Sequence, residues 1–259
     1  MIDIHKITFE PLMTFPSQTL AGADLREVML EEAYLAGMNL ESAHLEAANF
    51  SGAILTRCNM GHARMTGANF SGAGLFGVNL IAAQMNDGNF TRCMLIRANL
   101  TDANLTSATL THANLQNANL TNAKLNFANL MRARLGGSTM VDASLNRAVL
   151  MGAYLNHANL TRAKMDGVEL AGAKLCCADL TGASLRGADL SRSDFTGANL
   201  TGADLSNAVL RGTLFTDAQM EGIQMKGAEF DGSTDWPEGF RPSEHGAAAE
   251  SGRQWWKLW

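Results

Sequence analysis

Ala98-Asn99-Leu100-Thr101-Asp102-Ala103-Asn104-Leu105-Thr106-Ser107-Ala108-Thr109-Leu110 carries a five-residue beat: small, polar, leucine, then two polar residues. Followed outward in both directions, the beat never breaks. Leu, Met or Phe stands at every fifth position from Leu20 to Phe230, and a small residue, usually alanine, lies two before it. A fixed internal period constrains the architecture before any other feature does. An α-helix turns about 100° per residue, so a five-residue step drifts around it. A continuous strand alternates faces, so the same step flips the leucine each time. The chain must therefore turn once per pentad to reset the phase. Alanine and leucine, two apart on a short extended segment, then both point inward, and the next two residues make a corner. The second corner residue is glycine in 17 pentads between Gly22 and Gly227, which suits a turn position needing unusual dihedrals.

The central methionines (Met60, Met65, Met85, Met140, Met165, Met220, Met225) occupy two of the four phases of a 20-residue period. The central phenylalanines (Phe50, Phe70, Phe90, Phe195, Phe215, Phe230) occupy the other two. Such segregation follows if residues 20 apart stack, four pentads to a coil. It predicts Phe50, Phe70 and Phe90 in one interior column and Phe195 with Phe215 in another. About eleven coils at ~4.8 Å spacing span roughly 50 Å. Residues 1–19 break the repeat, and Ile2, Ile4, Ile7 and Phe9 predict an extended segment covering the first coil and hiding its open edge.

Runs such as Ala-Asn-Leu-Thr-Asp (98–102) and Ala-Asp-Leu-Thr-Gly (178–182) closely resemble the pentapeptide repeat consensus, over about four-fifths of the chain. The resemblance implies an all-β fold, a right-handed quadrilateral β-helix, with small and central residues inside and variable residues outside. Trp236-Pro237-Glu238-Gly239-Phe240 is also similar to a terminal sequence common in that family. The expected organisation is a cap at 1–19, the β-helix at 20–230, a terminal cap at 231–242 and a polar, aromatic-ended tail at 243–259. Family members share a fold and not one activity.

No apolar run is long enough for a membrane span. The start, Met1-Ile2-Asp3-Ile4-His5, lacks the basic and apolar regions of a signal peptide. Four cysteines in a chain of 259 residues do not form a disulfide framework, so a reducing bacterial cytoplasm is the expected setting. Gly72-Ala-Gly74-Leu-Phe-Gly77 matches a dinucleotide fingerprint but lies in phase with the pentads and opens no helix. No cofactor, metal site or enzyme activity is therefore expected. His157 and Cys177 share the second corner position 20 residues apart, where an imidazole would lower a thiol pKa if the two met.

The expected function is a non-catalytic rod that presents a partner-specific surface to another protein, with a homodimer as one assembly. Outward apolar residues nominate the surface: Ile54, Phe76, Met94 and Ile96 on one side, Ile81 on the next, and Met131 with Met151 near Val149 elsewhere. Contiguous exposed apolar residues mark partner sites. Trp255, Trp256 and Trp259 close a polar tail, readable as a partner anchor or as a cover for the last coil. The resemblance supplies an alternative, because some pentapeptide repeat proteins imitate DNA and protect bacterial type II topoisomerase (gyrase) from inhibitors. The acidic residues nearest to such a role are Asp24, Glu27, Glu31, Glu32 and Glu46. Charge argues against a full-length mimic, since ~50 Å of DNA carries about thirty negative charges. Residues 20–230 hold 18 acidic and 16 basic side chains, and direct nucleic-acid binding is not expected.

Overall fold

In the computed structural model, which describes residues 1–249, every pentad closes one side of a square coil. Leu100 illustrates the unit. Its N–H donates to the Asn119 carbonyl at 2.7 Å, the Asp102 N–H to Thr121 at 3.0 Å, and the Asn104 N–H back to Ala83 at 2.9 Å. The Ala103 N–H closes the corner on the Leu100 carbonyl at 3.0 Å. A four-residue turn with positive φ at its third residue only is a type II turn. Every corner from Gly22 to Gly227 has positive φ, 17 at glycine and 25 at other residues. The sequence reading placed unusual dihedrals at this corner position, where glycine suits them. The structure extends them to Arg92, Asp102, His112 and Phe127, so the stack holds 25 side chains in a region that L-residues avoid.

Parallel bridges join residues 20 apart on all four sides, Asp24 to His44, Met29 to Asn49, Tyr34 to Ile54 and Asn39 to Asn59, and continue up the rod. The fold is a right-handed quadrilateral β-helix. One amide per pentad escapes this ladder, at the first corner residue. Asparagine or aspartate just before the central residue accepts it: Ser71 N–H to Asn69 Oδ1 at 3.1 Å, Thr106 to Asn104 at 3.2 Å, Thr181 to Asp179 at 3.0 Å. Asparagine also bridges coils, Asn69 Nδ2 donating to Asn49 Oδ1 at 3.0 Å and Asn79 to Asn59 at 2.8 Å. A buried or half-buried amide needs a partner, and this position supplies it.

Inside, the columns run as expected. Phe50, Phe70 and Phe90 stack nearly parallel, with centroids 4.9 and 5.4 Å apart, and Phe195 stacks on Phe215 at 5.5 Å. Gly88 makes room for the last ring of the first column, since a Cβ there would lie 2.6 Å from Phe90 Cε2. The second column continues through Trp236, Phe240 and His245 at 5.1, 5.4 and 4.7 Å, so the C-terminal cap is an extension of the core.

The caps depart from the sequence reading in two places. Strand β1 (Ile2–Lys6) pairs antiparallel with β2 (Pro11–Phe15) and with β3 (Ala33–Tyr34), and Ile4 is buried. Ile7 and Phe9 do not cover the coil. Strand β1 ends at Lys6, the Phe9 N–H turns back to the Lys6 carbonyl at 2.9 Å, and Phe9 is 88% exposed. At the other end, a short 3-10 helix (Pro242–His245) leads to β5 (Ala248–Ala249), which pairs in parallel with β4 (Glu229–Phe230). Residues 242–249 thus lie on the final coil, further along the chain than a cap ending at 242 would reach. Gly246, with φ 87°, permits the close approach, because a Cβ there would come within 3.1 Å of Lys226 Cα. Trp255, Trp256 and Trp259 lie outside the described residues. Among the described residues no helix is long and apolar enough to cross a membrane.

Two substitutions test this core. Leu105→Ala should cost about 2–5 kcal/mol by opening a cavity. Ser138 is fully buried and its hydroxyl has no partner, so Ser138→Ala should stabilise by about 1 kcal/mol or more. Chemical denaturation of both variants against the parent chain reads the two signs.

Candidate functional site

Each side of the rod shows one outward residue per coil. On the side opened by Tyr34 the series is Tyr34, Ile54, Gly74, Met94, Asn114, Arg134, Tyr154 and Lys174. The amide-accepting asparagine is given up here at three successive coils, as it also is on the opposite side at His44, Arg64 and Gln84. No acceptor among the described residues takes the corner amides of Thr56, Phe76 and Ile96, which follow Ile54, Gly74 and Met94. What sets this side apart is the chemistry of the replacements, with Ile54 and Met94 standing where the opposite side carries His44, Arg64 and Gln84.

The apolar residues are contiguous. Met94 is 44% exposed and Tyr34 is 53% exposed, while Ile54, Phe76 and Ile96 are half-buried. The tip of the N-terminal hairpin enlarges the surface, as Ile7 and Phe9 form a cleft with Tyr34, Met38 and Ile54. Sequence reasoning missed this extension because it placed Ile7 and Phe9 inside. The available signal was parity: a strand burying Ile2 and Ile4 cannot also bury Ile7 and Phe9 without an irregularity. Ile81 does not join the cluster. It sits at the corner beyond the side carrying Asn79, which accepts from the Ile81 N–H at 3.2 Å and donates to Asn59 at 2.8 Å. Met131 and Met151 lie on the corner bordering the Tyr34 side, beside Arg132.

Lower on the same side the character turns basic. Arg134 and Lys174 flank Tyr154, which is 52% exposed, with shallow depressions over the glycine corners at Gly136, Gly137, Gly152 and Gly172. Lys174 pairs with Asp194 at 3.4 Å. Arg92, Arg132 and Arg134 have no ion pair among the described residues.

The acidic residues of the first coils do not form one surface. Arg26 binds Asp24 through two hydrogen bonds of 2.8 and 2.6 Å, and this contact holds the Asp24 carboxyl down at about 2. The charges of Glu46 and Glu27 also favour the Arg26 cation, so three carboxylates surround one guanidinium. Glu31 accepts from Asn49 Nδ2 at 2.6 Å on another side, and Glu32 is exposed at the next corner residue.

The cysteines divide by position. Cys58 and Cys93 fill the small inward position and donate to the Leu35 and Phe70 carbonyls. Burial pushes their thiols up to about 11 and about 12. Cys176 is also raised, by partial burial first and then by the Asp194 carboxylate. Cys177 is exposed, and its Sγ leans over Gly197, where a Cβ would be 3.4 Å away. No hydrogen bond joins Cys177 to His157 among the described residues. The pairing suggested by the sequence therefore has the stacking but not the contact.

The family profile of pentapeptide repeats matches eight times, in overlapping spans from 33–72 to 193–232. Among solved structures, HetL is a pentapeptide repeat protein involved in heterocyst differentiation regulation, from the cyanobacterium Nostoc sp. strain PCC 7120. It is 30% identical over 86% of this chain and 94% of its own, with a TM-score of 0.57. Rfr23, a pentapeptide repeat protein from the cyanobacterium Cyanothece 51142, is 38% identical over 36% of this chain and 63% of its own, with a TM-score of 0.36. QnrB1, a plasmid-mediated fluoroquinolone resistance protein, is 19% identical over 79% of this chain and 91% of its own, with a TM-score of 0.38, a likeness of fold alone. Among curated proteins none matches the chain.

The thiols give a direct check on the side-chain placement. A thiol reagent at pH 8 should label Cys177 at the rate of an ordinary exposed cysteine, Cys176 more slowly, and Cys58 and Cys93 only after unfolding. Labelling of Cys177 well above the ordinary rate would restore the reactive pair.

Proposed function

The chain belongs to the pentapeptide repeat family, and we propose that it works as a non-catalytic interaction rod whose Tyr34 side docks a protein partner. The observation that carries this reading is the contiguous apolar surface of Tyr34, Ile54, Phe76, Met94 and Ile96, enlarged by Ile7 and Phe9. Ile54, Phe76, Met94 and Ile96 supply an apolar centre, and Arg92, Arg132 and Arg134 supply a charged rim. A filled core and shallow surface depressions suit association with a partner better than enclosure of a small substrate. HetL is involved in heterocyst differentiation regulation, and a regulatory role is the one carried over here.

A DNA-like role at gyrase is the weaker reading. The carboxylates nearest to it are split between two corners, and Arg26 pairs with Asp24. Gyrase supercoiling and its inhibitor sensitivity should therefore be unchanged by micromolar protein.

Phe76→Asp with Ile96→Asp should abolish capture of the partner by the intact chain. Both positions are half-buried corners outside the core columns, so the melting temperature should shift by no more than a few degrees. Lys124→Asp with Lys164→Asp, on the opposite side, should leave capture intact. Retention by the first variant would remove the Tyr34 side from consideration.

A further inference from the structure

When the order of residues along the Tyr34 side is reversed, one register sets Met94 against Gly74, Arg92 against Gly72 and Glu32 against Arg132. We propose that the partner of this surface is a second copy of the chain, packed face to face and antiparallel about a two-fold axis between the coils of Gly74 and Met94. The proposal rests on the reading that this side is the docking surface, and it names the occupant.

The geometry is restrictive. When two flat faces meet with their rods antiparallel, the two-fold axis lies in the contact plane along the strand direction. Each column then meets the same column of the other copy in reverse order, as an isologous interface requires. In the central column Met94 falls opposite Gly74, a protruding side chain over a bare backbone position. In the same register Tyr34 falls opposite Arg134, a ring facing an unpaired guanidinium. On one bordering corner Phe76 falls opposite Ile96, joining the two apolar centres across the axis. On the other, Arg92 falls opposite Gly72, and Glu32 falls opposite Arg132.

The charges carry the choice of occupant. Glu32 and Arg132 are both exposed, both occupy left-handed corners, and neither has an ion pair among the described residues. They lie in one corner column, five coils apart, and the axis placing Met94 over Gly74 also brings Glu32 to Arg132. A sliding of one coil would set Arg92 against Arg92 at the axis, so like charge opposes that neighbouring register. The two-fold repeats every contact, giving two Glu32–Arg132 pairs in each dimer.

The test is a charge swap in the full chain, read by sedimentation equilibrium. Wild type should dimerise at micromolar concentration. Glu32→Arg alone and Arg132→Glu alone should each weaken the dimer at least about tenfold, because each puts like charges together twice. The double variant should recover the wild-type affinity. An equimolar mixture of the two single variants should also recover it as a heterodimer, since both pairs are then of opposite sign. Equal melting temperatures for all four proteins exclude an effect through folding. A wild type that stays monomeric to about 100 μM overturns self-pairing, as does a dimer that neither single variant weakens or that the mixture fails to restore. If the monomeric protein still captures another protein and loses it on Phe76→Asp with Ile96→Asp, self-pairing falls while the docking side stands.

Discussion

The corner turn is the constraint on which everything else depends. A chain with a five-residue apolar period can bury that period only by turning once per pentad, and the turn must rotate the chain by the same amount each time. The uniform type II geometry, with positive φ at every second corner residue from Gly22 to Gly227, provides this. Its cost at non-glycine corners is of order 1 kcal/mol each, and no isolated turn could hold it. The inter-coil bonds and the filled columns overdetermine the backbone at each corner, so strain that would open a hairpin is tolerated throughout the rod.

That constraint also explains the composition outside the core. Four of the five amides in a pentad are consumed by the turn and the two neighbouring coils, as at Leu100, Asp102, Ala103 and Asn104. The fifth has no backbone partner, and Asn99 accepts it from Thr101 at 3.2 Å. The asparagine-rich look of the sequence is therefore hydrogen-bond bookkeeping rather than chemistry. The Tyr34 side gives up that acceptor at Ile54, Gly74 and Met94, as the opposite side does at His44, Arg64 and Gln84, and differs from it in being apolar there.

Much of this was legible in the sequence because periodicity encodes burial directly. The interior columns of Phe50, Phe70 and Phe90 and of Phe195 and Phe215 follow from residue numbers alone, since a 20-residue coil leaves them no other place. The caps were less legible because they lack the period. Ile7 and Phe9 look like core residues by composition, yet they lie past the end of β1 and at the opposite parity to Ile4, and no repeat registers it. Of the candidate site, Ile54, Phe76, Met94 and Ile96 were readable as neighbours, while Ile81 seemed adjacent until the Asn79 bonds to Ile81 and Asn59 separated it. The acidic cluster was visible as a count of charges, but the pairing of Asp24 with Arg26 depends on side-chain direction, which a sequence does not carry.

The lean of the corner side chains gives the rod a direction. Cγ of Glu32, Arg57, Arg132 and Arg162 lies 3.5–3.7 Å from where a Cβ would stand on Gly52, Gly77, Gly152 and Gly182, each one coil further on. Each such glycine is a seat for the residue 20 positions before it. Asn117 makes the point most sharply, since its Oδ1 would be 2.5 Å from a Cβ on Gly137. Mutational effects should therefore couple each seat to the residue 20 positions before it, and the coupling is mutual: truncating the leaning side chain relieves the crowding that a larger residue at the seat would meet. Epistasis in this chain has a preferred spacing of one coil, and variation at its corners is inherited as pairs rather than as independent sites.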